Sequence, residues 1–249
     1  MTNLSDTVTT TLADPSVGLT YKDILTRIEA DPDFAAQLER YQAQQKRLCE
    51  EEDRRDALER AELRFKSSDL PRRFVDQVLG GKCDAEAHRV ARDFIAGSDW
   101  LLVLAGNKGL AKTSACATAV YQLLRQRALE SLKQSNVFAK ASSVVVFLTA
   151  PQLARYPRFD DEAMAKIERC SLLIVDDVGT EFNDRGGAFS SLLDGVVNAR
   201  YADGRKTILT TNCTLTEFKT RYGVRILDRL KDGGRFYVVS GNSLRGGGR

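Results

Sequence analysis

Five apolar residues, Leu101-Leu102-Val103-Leu104-Ala105, run straight into Gly106-Asn107-Lys108-Gly109-Leu110-Ala111-Lys112-Thr113, and a helix-forming stretch opens with Ser114. Few local geometries satisfy such a segment. An apolar strand must deliver the chain into a tight turn, and the turn must open a helix. Glycines in the turn leave backbone N–H groups free to wrap an anion, and the helix points its positive end at the same place. The spacing predicts a phosphate-binding loop over Gly106–Thr113, with Ser114 also among the residues that bind the nucleotide. In that loop Lys112 reaches the β- and γ-phosphates of ATP, and Thr113 gives its hydroxyl to Mg²⁺. Ala111 departs from the pattern, because glycine normally precedes the lysine. If the position needs a positive φ, alanine costs about 1–2 kcal/mol; if φ is negative, the methyl crowds the approach of the phosphate.

Two further segments belong to the same chemistry. In SLLIVDDVGTE four apolar residues feed two acids, which describes a buried strand carrying carboxylates to its C-terminal edge, where α/β sites form. Asp176 is the candidate to hold Mg²⁺, with Thr113, and Asp177 to orient the attacking water. Glu181 is a possible further acid, with a surface position expected. In TILTTN, Asn212 stands at a strand tip, where its amide can bond the water or the γ-phosphate and act as a sensor.

The rest of the chain separates by pattern. Met1–Gly18 is rich in Thr and Ser and reads as a loose tail (1–18). Residues 19–67 are polar and strongly charged, with sparse apolar positions at Phe34, Leu38, Tyr41 and Leu48. Thr20 with Asp23 marks an N-cap, and Asp31-Pro32 separates a first helix from a long second one. That second helix, laced with opposite charges, predicts an exposed appendage or a partner-binding region. From residue 68 to 249 short apolar runs alternate with helical stretches: Trp100–Ala105, Ser143–Thr149, Ser171–Asp176, Lys206–Thr211 and Arg235–Ser240 read as strands. Ala87, Val90, Ala91, Phe94 and Ile95 form one helical stripe, and Thr214 with Glu217 forms a capping box. This alternation predicts an α/β fold, a parallel five-stranded sheet covered by helices on both faces.

The resulting domain expectation is a flexible tail, a helical N-terminal region and an ATPase domain. The longest apolar runs are far short of a membrane span, and nothing near Met1 pairs a basic start with an apolar stretch. The five cysteines, scattered and without a CxxC pair, fit reduced thiols in the cytoplasm better than a disulfide framework or zinc. A net charge of +3 says little, but the basic residues gathered from Arg205 onward favour phosphates, of a nucleotide or of DNA.

At LPRRF, AGNKGLAKT, LLIVDDVG, ARYADGRKTILTTN, YGVRILDRL and GNSLR, in that order, the sequence resembles the DnaC/IstB group of AAA+ proteins, over roughly Asp69 to Arg245. That group comprises helicase loaders and ATP-binding regulators of transposition. The resemblance implies that Arg229 is an arginine finger entering a neighbouring subunit's site, with Arg225 assisting one turn earlier, and that Arg245 contacts phosphate within its own subunit. It implies a homo-oligomeric ATPase on DNA. As a helicase loader the chain would hold single-stranded DNA and a replicative helicase; as a transposition regulator it would assemble on duplex DNA and recruit a transposase. A nucleotide-stabilised scaffold is the third reading. Glutamate is usual where Asp177 stands, so Ala111 and Asp177 together predict slow turnover.

Overall fold

The apolar run before the glycine turn is a strand, β1 (Leu101–Ala105), and every residue of it is buried. In the computed structural model, which describes residues 12–133, 145–156, 160–181 and 187–241, it lies inside a five-stranded sheet. The elements before it are α1 (Tyr21–Ala30), α2 (Pro32–Lys66), α3 (Arg72–Leu79) and α4 (Glu86–Ala96). After it come α5 (Lys112–Lys133), β2 (Val145–Thr149), α6 (Ala150–Ala154), α7 (Asp161–Arg169) and β3 (Leu172–Val178). The chain continues through α8 (Ala188–Ala202), β4 (Lys206–Thr211), α9 (Leu215–Tyr222), α10 (Val224–Lys231) and β5 (Gly234–Val238).

All strand pairs are parallel, in the order β2-β3-β4-β1-β5. From β1 the chain crosses to the far edge at β2, returns through β3 and β4 to lie beside β1, and closes on its other side with β5. Successive side chains of a strand point to opposite faces, and here both faces are buried. Leu102 and Leu104 of β1 pack with Leu172 and Ile174 of β3 under α3, α4 and α5. Leu101 and Val103 pack with Leu173 and Val175 on the other face, under α6 to α10. Two-sided burial explains why these strands are continuous apolar runs rather than alternating ones. Each such Leu or Ile contributes about 1.5–3 kcal/mol relative to exposure, far more than any intrinsic strand preference.

The expected strands are present: Lys206–Thr211 is β4 with both ends as expected, the ends of the others lie within two residues of those expected, and Ser143 and Val144 of the expected second strand lie outside the described residues. β3 extends past Asp176 to Val178, with a register shift against β4 between Val175 and Val178. The expected stripe of α4 is buried at all five positions. Thr214 and Glu217 form their capping box at the start of α9.

The chain divides into two compact units, the first ending at Ala57 and the second beginning with Leu58. In the first, Thr20 and Asp23 form a capping box on α1, and Asp31 Oδ1 accepts the N–H groups of Asp33 and Phe34 at the start of α2. Of the expected tail, residues 1–11 lie outside the described residues; Leu12 N–H donates to Gln44 Oε1 at 2.9 Å. α2 is exposed along most of its charged length, but in the second unit its last turns bury Ala61 and Phe65, and the Phe65 ring packs on Tyr121 of α5. No helix among the described residues is long and apolar enough to cross a membrane.

Candidate functional site

The C-terminal ends of β1, β3 and β4 open on one side of the sheet, and a cleft of about 630 Å³ lies there. The glycine turn forms its floor. Gly106 has φ 144°, and a Cβ there would lie 2.7 Å from the Val239 carbonyl oxygen and 3.1 Å from the Leu110 side chain, so only glycine fits. Leu110 itself is buried in the core, which anchors the turn. Gly109 has φ 91°. Asn107 and Lys108 are exposed, and Lys108 lines the cleft. Ala111 has φ 59°: the position does require the left-handed region, and alanine occupies it.

Lys112 is buried, and its ammonium donates to the carbonyls of Gly106 at 2.7 Å and Asn107 at 2.9 Å. It also donates to Asn212 Oδ1 at 3.0 Å, so the residue after β4 is brought onto the loop after β1. Thr113 Oγ1 lies 3.0 and 3.2 Å from the two carboxylate oxygens of Asp176. A hydroxyl and a carboxylate meeting at a helix N-terminus are the hard oxygen donors that suit Mg²⁺. Ser114, expected to bind the nucleotide, lines the cleft but turns its hydroxyl to the Ala111 carbonyl and to His88.

The two acids differ in environment. Asp176 is buried, and loss of water pushes its carboxyl above the usual carboxylate range, helped by the charge of Asp177 and opposed by hydrogen bonds from Thr210 and Thr113. Asp177 sits in the left-handed region at φ 57°, within the register shift of β3, and lines the cleft. Thr210, which sequence reasoning passed over, holds both: its hydroxyl donates to Asp176 Oδ1 at 2.6 Å and accepts the Asp177 N–H at 2.9 Å. Its neighbour Thr211 donates to the Val178 carbonyl at 2.6 Å. The signal was present in TILTT, where polar residues stand in a strand buried on both faces.

The surface position expected for Glu181 is wrong. Glu181 is only 7% exposed. One carboxylate oxygen accepts the Gly179 N–H at 2.7 Å. The other accepts the Tyr222 hydroxyl and pairs with Arg221 at 3.6 Å. Its charge is satisfied within the turn after β3, on groups 2 and 41 residues away, which no local pattern reveals. Burial and this carboxylate together push the Tyr222 phenol well up.

The remaining cleft wall comes from Pro71, Arg73, Phe74 and Gln77 at α3, Phe147 and Thr149 of β2, and Thr180. Pro71, Arg73 and Phe74 of the LPRRF motif all line the cleft, with the Arg73 guanidinium over the Phe74 ring at 4.4 Å. Arg229 and Arg225 lie elsewhere, on α10. Arg229 donates to Asp194 Oδ1 at 3.0 Å and to Asn198 Oδ1 of α8, and Arg225 pairs with Asp194 at 3.5 Å while 79% exposed. Arg245 lies outside the described residues.

Strand order, loop and paired acids define an α/β fold in which a phosphate-binding type of loop and two acids meet at the C-terminal edge of a parallel five-stranded sheet. In comparison with known proteins, the chain matches no family model and no curated sequence. Among solved structures it is similar to DnaI at 20% identity, over 64% of this chain and 82% of that chain, with a TM-score of 0.47. It is similar to the DnaC helicase loader at 18% identity over 71% and 96%, with a TM-score of 0.44. AMPPCP-bound DnaA from Aquifex aeolicus is similar at 17% identity over 65% and 49%, with a TM-score of 0.45.

Proposed function

We propose that this chain is a slow, ATP-dependent AAA+ ATPase that works on DNA as a homo-oligomer and serves as a replicative helicase loader. The observation that carries the ATPase part is the convergence of three distant segments in one cleft: Lys112 on Asn212, and Thr113 on Asp176. In this reading Gly106–Thr113 wraps the phosphates with backbone N–H groups, and the start of α5 adds its positive end. Lys112 exchanges loop carbonyls for the β- and γ-phosphates, and Pro71 and Phe74 offer an apolar wall to the base. Thr113 and Asp176 would hold Mg²⁺, which would supply positive charge to offset that of the phosphates. Asp177 orients water, and Asn212 senses the γ-phosphate. Arg229, with Arg225, serves the site of the next subunit, and Arg245 its own.

Slow turnover follows from Asp177. This residue lines the cleft, and its carboxylate is one methylene shorter than that of glutamate. A steady-state rate above about 10 s⁻¹, the median for enzymes, would refute this point.

The loader part rests on the order and spacing of the motifs from LLIVDDVG to GNSLR, with the charged first unit as the grip on the helicase. Light scattering with Mg²⁺-ATP tests it, adding single-stranded or duplex DNA separately, with Lys112→Ala as control. Assembly that needs ATP and prefers single strands is expected. Long assemblies on duplex would move the reading to a transposition regulator, and assembly without phosphate release would leave a scaffold.

A further inference from the structure

Behind the phosphate-binding loop, between α4 and α5, lies the chain's single histidine. His88 is buried, and its Nε2 is 2.9 Å from Ser114 Oγ. Ser114 Oγ is in turn 3.0 Å from the Ala111 carbonyl oxygen. A carbonyl can only accept, so the Ser114 hydroxyl links the imidazole to the Ala111 carbonyl. The other ring nitrogen, Nδ1, is buried near the Ala85 backbone.

The far end of the relay is the residue where the loop departs from its expected letters. Ala111 has φ 59°, a conformation that an L-residue with a Cβ avoids by roughly tenfold or more in population. Its carbonyl accepts the Ala115 N–H at 2.8 Å and the Ser114 hydroxyl together. That carbonyl belongs to the same peptide plane as the Lys112 N–H. Holding it sets the direction of the loop's last amide and the root of the Lys112 side chain.

We propose that His88 is a positioning residue of the nucleotide site: through Ser114 it locks the 111–112 peptide in the left-handed geometry that glycine at 111 would adopt unaided. The inference rests on the reading of Gly106–Thr113 as a phosphate-binding loop. His88 touches no phosphate; it acts through Ser114 and Ala111 alone.

A histidine that merely fills space between α4 and α5 would show no dependence on residue 111, so the test is a double-mutant cycle. Binding of a fluorescent ATP analogue with Mg²⁺ is measured on the full chain for the wild type, His88→Leu, Ala111→Gly and the double variant, with thermal unfolding of each. His88→Leu is expected to weaken binding about tenfold, and the same change in the Ala111→Gly background to weaken it less than about threefold. His88→Gln, which keeps an amide donor, is expected to lose less than His88→Leu. Equal losses in both backgrounds, or no loss in either, overturn the inference. Should His88→Leu fail to fold, Ser114→Ala takes its place in the cycle, with the same expected dependence on residue 111. Absence of binding in both the wild type and Ala111→Gly would instead bring down the phosphate-loop reading, and this inference with it.

Discussion

Lys112 Nζ donates to Asn212 Oδ1 at 3.0 Å, joining residues 100 positions apart. The contact follows from topology. β1 and β4 are neighbours in register, Ala105 opposite Thr211, so whatever follows each strand meets at the same edge. The two side chains do different work in the proposed site, and their variants are expected to separate. Lys112→Ala should abolish detectable nucleotide binding. Asn212→Ala should bind within a few-fold of wild type yet hydrolyse on the order of 10²-fold more slowly, the usual loss when one aligned polar group is removed. Equilibrium binding and single-turnover hydrolysis on the same preparations check both; an Asn212→Ala chain with normal hydrolysis would remove Asn212 from the site.

Asp177 has a backbone reason for not being glutamate. At φ 57° it occupies the left-handed region, which Asp and Asn enter several-fold more readily than most residues. Its N–H is bound by Thr210, and its carbonyl accepts from Thr180 N–H at 3.1 Å and Oγ1 at 2.7 Å, so the backbone cannot relax. Asp177→Asn should therefore leave the melting temperature unchanged while lowering hydrolysis. Asp177→Glu should lower stability by about 0.5–1 kcal/mol, while its longer carboxylate raises turnover. Melting curves paired with phosphate release decide this, and a destabilised Asp177→Asn would contradict it.

Much of this architecture was legible along the chain because local and tertiary preferences agree. The apolar runs became strands with ends within two residues of those expected where the structure describes them, since burial on both faces demands such runs. Thr20–Asp23 and Thr214–Glu217 formed their boxes because a cap involves only residues of one turn. The phosphate-binding loop and the paired acids were legible by spacing. What could not be read depends on contacts between distant segments. The sign of φ at Ala111 and Asp177 is set by the packing of the turns that hold them. Glu181 looked like a surface acid because its partner Tyr222 lies 41 residues away, and His88 showed no tie to Ser114, 26 residues on. Thr210 was hidden in a run whose interest seemed to lie in Asn212.

His88 gives the fold a distinct response to acid. Burial, and to a lesser degree the charge of Arg92, pulls its pKa below the ordinary value, against the opposing pull of Asp84. The unfolded chain therefore binds a proton near pH 6.5 that the folded chain refuses. Between these two pKa values stability rises with pH. The contribution is fully present above about pH 6.5 and is lost as pH falls through the folded value. Because no other histidine exists in the chain, urea unfolding between pH 5 and 7.5 should show this slope in the wild type and a flatter one in His88→Leu or His88→Gln. An unchanged slope in both variants would show that His88 does not titrate this way.

Arg229 is held within its own chain by α8, and in the proposed oligomer the strength of that hold would decide whether it can serve a neighbour. Its guanidinium donates to Asp194 and Asn198, one turn apart on α8, and lies 5.9 Å from the Tyr201 ring. Asp194 is shared with the exposed Arg225. Pairs this close to the surface contribute about 0.2–1 kcal/mol. A finger engaged with a transferring phosphoryl group contributes roughly 10³–10⁵ in rate, several-fold more in free energy, so in the proposed assembly that engagement would outweigh the hold of Asp194. Arg229→Ala should keep nucleotide affinity and lose hydrolysis, while Asp194→Asn should raise hydrolysis a few-fold by weakening the hold. Mixing separates action on a neighbour from action within the subunit. Arg229→Ala subunits keep an intact loop, and Lys112→Ala subunits keep an intact Arg229. If Arg229 works on the neighbouring site, the mixture should recover activity that neither variant shows alone. If it worked on its own loop, every subunit in the mixture would lack one of the two parts, and the mixture would stay inactive.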